Sequence, residues 1–222
     1  TVQLCPGALG QERASLGWQS DLRSIALLGS SPPSNKYAEN LPSEYELWGM
    51  NASHTTLRLR KPQRWFQMHH RHHNAQNGTE PGHWGRSPWH EEFLKECGVP
   101  VYMQEKDPEI PTSVRYPIEA VSNEYGPYFT SSLAYMLALA LYEGCNEIAL
   151  LGITLSAPSE YGVQRSCAEY YLGIARANGV MVEVADNAEL LKAPLYAYED
   201  PTVPPEYQET TEPRLQEVVG VV

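Results

Sequence analysis

Cysteine is scarce in this chain. Four occur in 222 residues, at Cys5, Cys97, Cys145 and Cys167, and no two form a C-x-x-C pair. That spacing excludes a zinc knuckle and a disulfide framework, and reduced thiols in a cytosolic compartment are expected. Positive charge is also short: 16 Lys and Arg face 27 Asp and Glu, for a net charge of −11. A broad nucleic-acid surface needs a basic face, so that class of function is excluded, while a local pocket for a phosphate is not. No stretch of 18 apolar residues occurs, and no charged-then-apolar leader opens the sequence. The expectation is a soluble cytoplasmic protein with no membrane partner. Neither G-x-G-x-x-G nor the P-loop spacing is present, and no internal repeat is visible.

What is there can build a core: 42% of residues are hydrophobic and 10% aromatic. The length suits one α/β domain with extensions. Residues 1–20 are weakly patterned and read as an N-terminal extension. Residues 21–198 read as the domain, and 199–222, rich in Pro, Glu and Thr, as a polar tail that could engage a protein partner or a second copy. Within the domain, Ser24–Gly29, Arg64–His69, Val99–Met103, Ile148–Leu151 and Val180–Val184 are short runs of strand type, and Leu41–Asn51 reads as a loop and then a second strand that ends at Asn51. His90–Cys97, Ile118–Tyr125, Leu133–Gly144 and Gln164–Asn178 carry helical periodicity. Strands alternating with helices predict a Rossmann-like α/β fold, a mostly parallel sheet with helices on both faces. An irregular insertion at about 74–89, with Trp84 and Trp89, suits a lid, a sugar-stacking platform or an anchor to the core.

Chemistry concentrates where strands end. Thr130-Ser131-Ser132 opens the apolar helix Leu133–Gly144, supplying hydroxyl caps and unused backbone N–H groups, a ready anion site or simply a capped core helix. Gly29-Ser30-Ser31 follows the first strand, where α/β proteins place a phosphate. Asn51 stands at the end of the second strand and could offer its amide to a base or ribose. His69 ends the third and is a candidate for acid–base work, since an imidazole titrates near neutrality. His69, His70, His72 and His73 crowd together, but their spacing suits no single helical face, and no metal is expected there. Gln164 and Arg165 open a helix beside a strand-end loop, where Arg165 could meet an anion or belong to a solvated face.

Two stretches then suggest a family. Ile25-Ala26-Leu27-Leu28-Gly29-Ser30-Ser31-Pro32-Pro33-Ser34, with Leu41-Pro42 and Tyr45–Trp48 leading to Asn51, resembles the N-terminal nucleotide site of small bacterial sialyltransferases. Thr130–Ser132 through Gly144, Glu147-Ile148 and Leu151-Gly152-Ile153 resembles their later motif. The similarity spans roughly residues 23–187 in the correct order. Archaeal pterin diphosphokinase-like proteins share a similar pattern, and the whole chain looks like uncharacterised proteins of tailed phages, which would place it in a host cytoplasm. The sialyltransferase resemblance implies a cytidine nucleotide bound by Gly29, Ser30, Ser31 and Asn51, with its phosphate near Thr130, Ser131 and Ser132. The chain departs from that family at Thr154, where an Asp is usual, and at Gln164 and Arg165, where the catalytic His is usual.

The reading drawn from these residues is a glycosyltransferase-like protein that takes a CMP- or UDP-type nucleotide-sugar at the strand ends without a metal. His69 is its candidate base, and Arg165 with Gln164 lies near the leaving group. Two other readings are a nucleotide-binding or virion-associated protein without catalysis, and a Mg-dependent phosphotransferase with Glu105 and Glu169 as the carboxylates on offer.

Overall fold

A computed structural model describes residues 22–31, 36–55, 60–69, 88–155 and 160–192. The chain divides into two compact units, Thr1–Leu190 and Leu191–Val222. Of the second, only Leu191, which holds a positive φ of 57°, and Lys192 are among the described residues. The expected N-terminal extension, residues 74–87 of the insertion, His70 to His73 and the polar tail lie outside the described residues.

The first unit is built on seven strands: β1 (Ser24–Leu28), β2 (Glu46–Met50), β3 (Arg64–Phe66), β4 (Val101–Met103), β5 (Ser113–Arg115), β6 (Glu147–Leu151) and β7 (Met181–Val184). They form one sheet in the order β5-β4-β3-β2-β1-β6-β7, and every pairing is parallel. Among the described residues four α-helices accompany it: α1 (Pro88–Glu96), α2 (Ile118–Tyr125), α3 (Ser132–Tyr142) and α4 (Glu160–Ala177). This is the Rossmann-like α/β architecture that the alternation of runs predicted.

The strand sequences explain the layering. β1 and β6 are buried at every position, so both their faces must be covered, and their unbroken apolar runs satisfy that. Ile25, Leu27, Trp48, Met50, Phe66, Ile148 and Leu150 point to the face packed by α3 and α4. Along α3, Leu133, Ala134 and Met136 through Leu141 are all buried, and each Leu removed from water contributes about 2 kcal/mol. On the opposite face, Ala26, Leu28, Leu47, Ala149 and Leu151 pack with Ala38 and Tyr45 from the connection between β1 and β2. Beside them Trp65, Val101 and Met103 meet Leu94 of α1. Gly49 lets that second layer close, because a Cβ there would lie 2.1 Å from the Trp65 ring.

The structure adds one strand. Ser113–Arg115, absent from the strand-type runs of the sequence, pairs with Val101–Met103 at the sheet edge. An edge strand with one polar and one charged residue in three has no apolar run to announce it. The third strand is also shorter than the run 64–69, and α4 begins four residues before Gln164.

At the amino ends of the strands four charges close a ring. Arg23 meets Glu46 at 2.9 Å and Glu143 at 2.7 Å, and Arg64 meets Glu46 at 2.8 Å and Glu143 at 2.7 Å. The Arg64 guanidinium also lies 4.7 Å from the Trp48 ring centroid. Burial alone would raise the Glu46 carboxyl, but hydrogen bonding from Arg23 and the charges of both arginines outweigh it and hold the group below its usual range.

Candidate functional site

The strand order reverses at β1: β2 to β5 extend on one side of it, β6 and β7 on the other. In open parallel sheets the crevice at such a switch point, outside the carboxyl ends of the strands, is where ligands bind. Here the ends of β1 and β6 are drawn together beyond their last paired residues. The Gly29 N–H donates to the Leu151 carbonyl at 2.7 Å, and the Ser31 N–H to the Gly152 carbonyl at 2.9 Å. A Cβ on Gly29 would sit 2.3 Å from the Gly152 oxygen. Only glycine permits this approach, so the backbone of 29–31 forms one wall of the crevice, with Ser30 exposed at its lip.

Register places Asn51 beside that wall. Leu28 pairs with Gly49, so the strand-end turns of β1 and β2 lie next to one another. Asn51 holds a left-handed backbone with φ 48°, a conformation that Asn tolerates better than most residues. Its turn is pinned by the Met50 N–H donating to the buried Ser53 hydroxyl at 3.2 Å. The side chain of Asn51 accepts from the Ser132 hydroxyl at 3.3 Å, joining residues 81 apart in sequence. Ser131 is the N-cap of α3 and accepts from the Ala134 N–H at 3.3 Å. The Ala134 and Tyr135 N–H groups are taken up by Ser131, so Ser132 and Leu133 present the leading N–H groups of α3 at the positive end of its dipole.

Thr130 turns the other way. Its hydroxyl donates to the Val163 carbonyl at 3.2 Å and ties the entry of α3 to the first turns of α4. Gln164 and Arg165, the next residues of α4, are therefore held near the α3 N-terminus, and both are half-buried. Arg165 is engaged by Glu169 at 3.0 Å, the i,i+4 pair legible in the sequence. His69 lies half-buried beyond the carboxyl end of β3, one strand over from Asn51. The preceding backbone is fixed by the Gln104 amide donating to the Met68 carbonyl at 3.0 Å. The sequence-predicted residues Gly29, Ser30, Ser31, Asn51, Ser131 and Ser132 thus all lie at the carboxyl ends of β1 and β2 or at the N-terminus of α3, with Asn51 and Ser132 in contact. Thr130 is tied to the start of α4, which holds Gln164 and Arg165, and His69 follows β3.

One group at this end of the sheet carries no sequence signal. His54, in the turn after β2, contacts His90 of α1 through Nε2 and Nδ1 at 2.9 Å. The Nε2 of His90 meets the Gln67 Oε1 at 2.8 Å. The spacings of 36 and 23 residues belong to no local pattern, and only the β2–β3 pairing with α1 packed over it brings the three together. A cavity of about 320 Å³ also opens on the face away from α3, floored by Ala149 and Leu151 and bordered by Tyr37, Leu41, Asp186 and Asn187.

Other chemistry is limited. Among the described residues no three His, Cys, Asp or Glu side chains gather as a metal site would need. Cys145 is buried, and burial pushes its thiol up to about 11, so it is inert at neutral pH. No helix among the described residues is long and apolar enough to cross a membrane.

Several solved structures are similar to this chain. One is the Campylobacter jejuni sialyltransferase CstII in complex with the substrate analogue CMP-3FNeuAc, 12% identical, with 77% of this chain and 87% of that one covered at a TM-score of 0.48. Another is the monofunctional alpha-2,3-sialyltransferase Cst-I from the same organism, 15% identical, covering 83% of this chain and 81% of that one at 0.49. No family model matches the chain, and no curated protein matches it.

Proposed function

We propose that this chain binds a CMP-type nucleotide-sugar in the crevice at the carboxyl ends of β1, β2 and β6 and transfers the sugar. The observation that carries the reading is the hydrogen bond between Asn51 and Ser132. It joins the end of an inner strand to the positive end of a buried helix, directly beside the glycine-lined approach of β1 and β6. The motif resemblance assigns the same residues to a cytidine nucleotide. In this reading the N–H groups of Ser132 and Leu133 and the Ser131 hydroxyl receive the phosphate, while the Ser132 hydroxyl holds Asn51. The backbone of Gly29 to Ser31 lies along the nucleotide, and the Asn51 amide reaches the ribose or base.

Glycosyl transfer separates a sugar from a phosphate, so the group that leaves carries the charge. A fixed helix dipole and N–H donors aimed at that phosphate stabilise the charge as it develops without having to reorganise. Arg165, one turn into α4, can swing from Glu169 to the same anion.

Isothermal titration calorimetry with CMP and UDP tests the reading. Saturable CMP binding that is weakened at least tenfold by Asn51→Asp is expected. Failure of both nucleotides to bind overturns it. Release of free sugar from CMP-linked sialic acid separates transfer from binding alone.

A further inference from the structure

His54, His90 and Gln67 form a polar chain inside an apolar layer. His90 is 4% exposed and Gln67 1% exposed, while His54 is only half-buried, so the chain starts in the core and opens at His54. The surroundings are aromatic: the His54 ring stacks on Phe93 with centroids 4.1 Å apart and interplanar angle 10°, and Trp65 lies at 5.9 Å. Burying two imidazoles and an amide among rings costs stability compared with apolar side chains. The arrangement therefore calls for a chemical reason beyond packing.

The hydrogen bonds give the chain a direction. With the Gln67 Oε1 turned to His90 the His90 Nε2 donates to it. That orientation leaves the buried Gln67 Nε2 without a hydrogen-bond partner, and the tautomer measured in the wild-type protein decides between it and the flipped amide. The His90 Nδ1 then accepts, and the His54 Nε2 must donate to it. That leaves the His54 Nδ1, on the opposite side of the ring, as a bare lone pair. The turn that holds it, 51–55, is the one that presents Asn51 to Ser132, and Ser53 fixes that turn. Burial lowers the affinity of His54 for a proton, and among the described residues its ring contacts are His90, Phe93 and Trp65. The imidazole is therefore neutral at pH 7 and ready to accept.

We propose that His54, oriented through His90 by Gln67, is the catalytic base of the transfer reaction, a role that rests on the nucleotide-sugar reading above. The acceptor hydroxyl passes its proton to the His54 Nδ1. Its oxygen forms the bond to the anomeric carbon, and the bond from that carbon to the phosphate oxygen breaks, with the electron pair leaving on CMP. The imidazolium that forms keeps its Nε2–H on the His90 Nδ1, which the Gln67 contact holds in the accepting tautomer. His90 and Gln67 are positioning residues and do not touch substrate. The role falls to a residue away from Gln164 and Arg165, where the resembled family keeps its His.

The test uses the full chain and CMP-linked sialic acid as donor, with water as acceptor and CMP release as readout. His54→Asn is expected to lower turnover about 100-fold or more and leave calorimetric CMP affinity within about twofold. His90→Met is expected to lower turnover less and to shift the acid limb of the pH–rate profile, since it loosens the ring without removing it. In the wild-type protein, long-range proton–nitrogen spectra are expected to show His54 protonated at Nε2 and bare at Nδ1, a measurement that needs no variant to fold. If the wild type does not bind CMP, the nucleotide reading fails and this inference with it. If CMP binds but the wild type releases no sugar, the transfer part of that reading fails and the inference fails with it. If the wild type releases sugar but His54→Asn turns over like wild type, or the opposite tautomer is found, the inference alone is overturned.

Discussion

The two ends of the sheet are built by opposite rules. At the amino ends, Arg23, Glu46, Arg64 and Glu143 satisfy one another in a closed ring, and Ser24 donates to the buried Glu147 at 2.8 Å. At the carboxyl ends charge gives way to hydroxyls, amides and imidazoles, and the backbone takes up left-handed conformations at Asn51, Gly152 and Leu155. Left-handed backbone costs a non-glycine residue about 1 kcal/mol, more for Leu, and is held only where surrounding structure enforces it. Charge is satisfied within the protein at the paired end, while the other end carries the positive-φ turns and the Asn51–Ser132 contact on which the proposed site rests.

The comparison breaks most severely at Gly29. Gly29→Ala drives a methyl group into the Gly152 carbonyl. It is expected to cost about 3 kcal/mol in urea unfolding and to abolish CMP binding in calorimetry, since it parts the two strand ends. Arg64→Ala acts at the other end. It leaves Glu46 and Glu143 each short of a partner and uncovers Trp48, and about 2 kcal/mol of stability should be lost with CMP affinity unchanged. Retained stability would show that the ring contributes little, and lost binding would show that the two ends are coupled. Asn51→Asp reverses that pattern. Aspartate tolerates the same backbone and still accepts from Ser132, so the melting temperature should hardly move, while CMP affinity falls by at least tenfold because a carboxylate now faces the phosphate.

The pH dependence of the ring sharpens the contrast further. Glu46 is held below its ordinary value, so its contribution is present above the usual carboxylate range near 4.5 and is lost as pH falls through its lowered folded value. The gap in melting temperature between wild type and Glu46→Gln, equivalent to about 1 kcal/mol at pH 7, should close on acidification. A gap that stays constant with pH would mean that charge is not what Glu46 contributes. The smallest effect is expected at Arg115, which contacts Glu105 and Glu119 on the open surface. Arg115→Gln should leave both the melting temperature and CMP affinity unaltered, because water screens such pairs.

Legibility follows the same divide between local and distant causes. β1, β6 and α3 are continuous apolar runs bounded by Gly or hydroxyl residues, and their type and order could be read directly. Gly29, Asn51 and Ser131 were visible as strand-end or cap residues for the same reason. β5 was not, because an edge strand needs no apolar run. The partners in the charge ring read individually as ordinary surface charges, since each begins a strand or ends a helix with no neighbour in sequence.

Alternation of buried runs, helix caps and strand-end turns specifies the inner strands, the helices and their arrangement in a parallel α/β sheet. Those are consequences of local periodicity and backbone conformation, which a few adjacent residues specify. Only the tertiary structure decided that Asn51 meets Ser132, that Gly29 lies against Gly152, and that His54, His90 and Gln67 form one directed chain. Such contacts depend on strand order and register, and the sequence separation of the groups leaves no periodic trace of them.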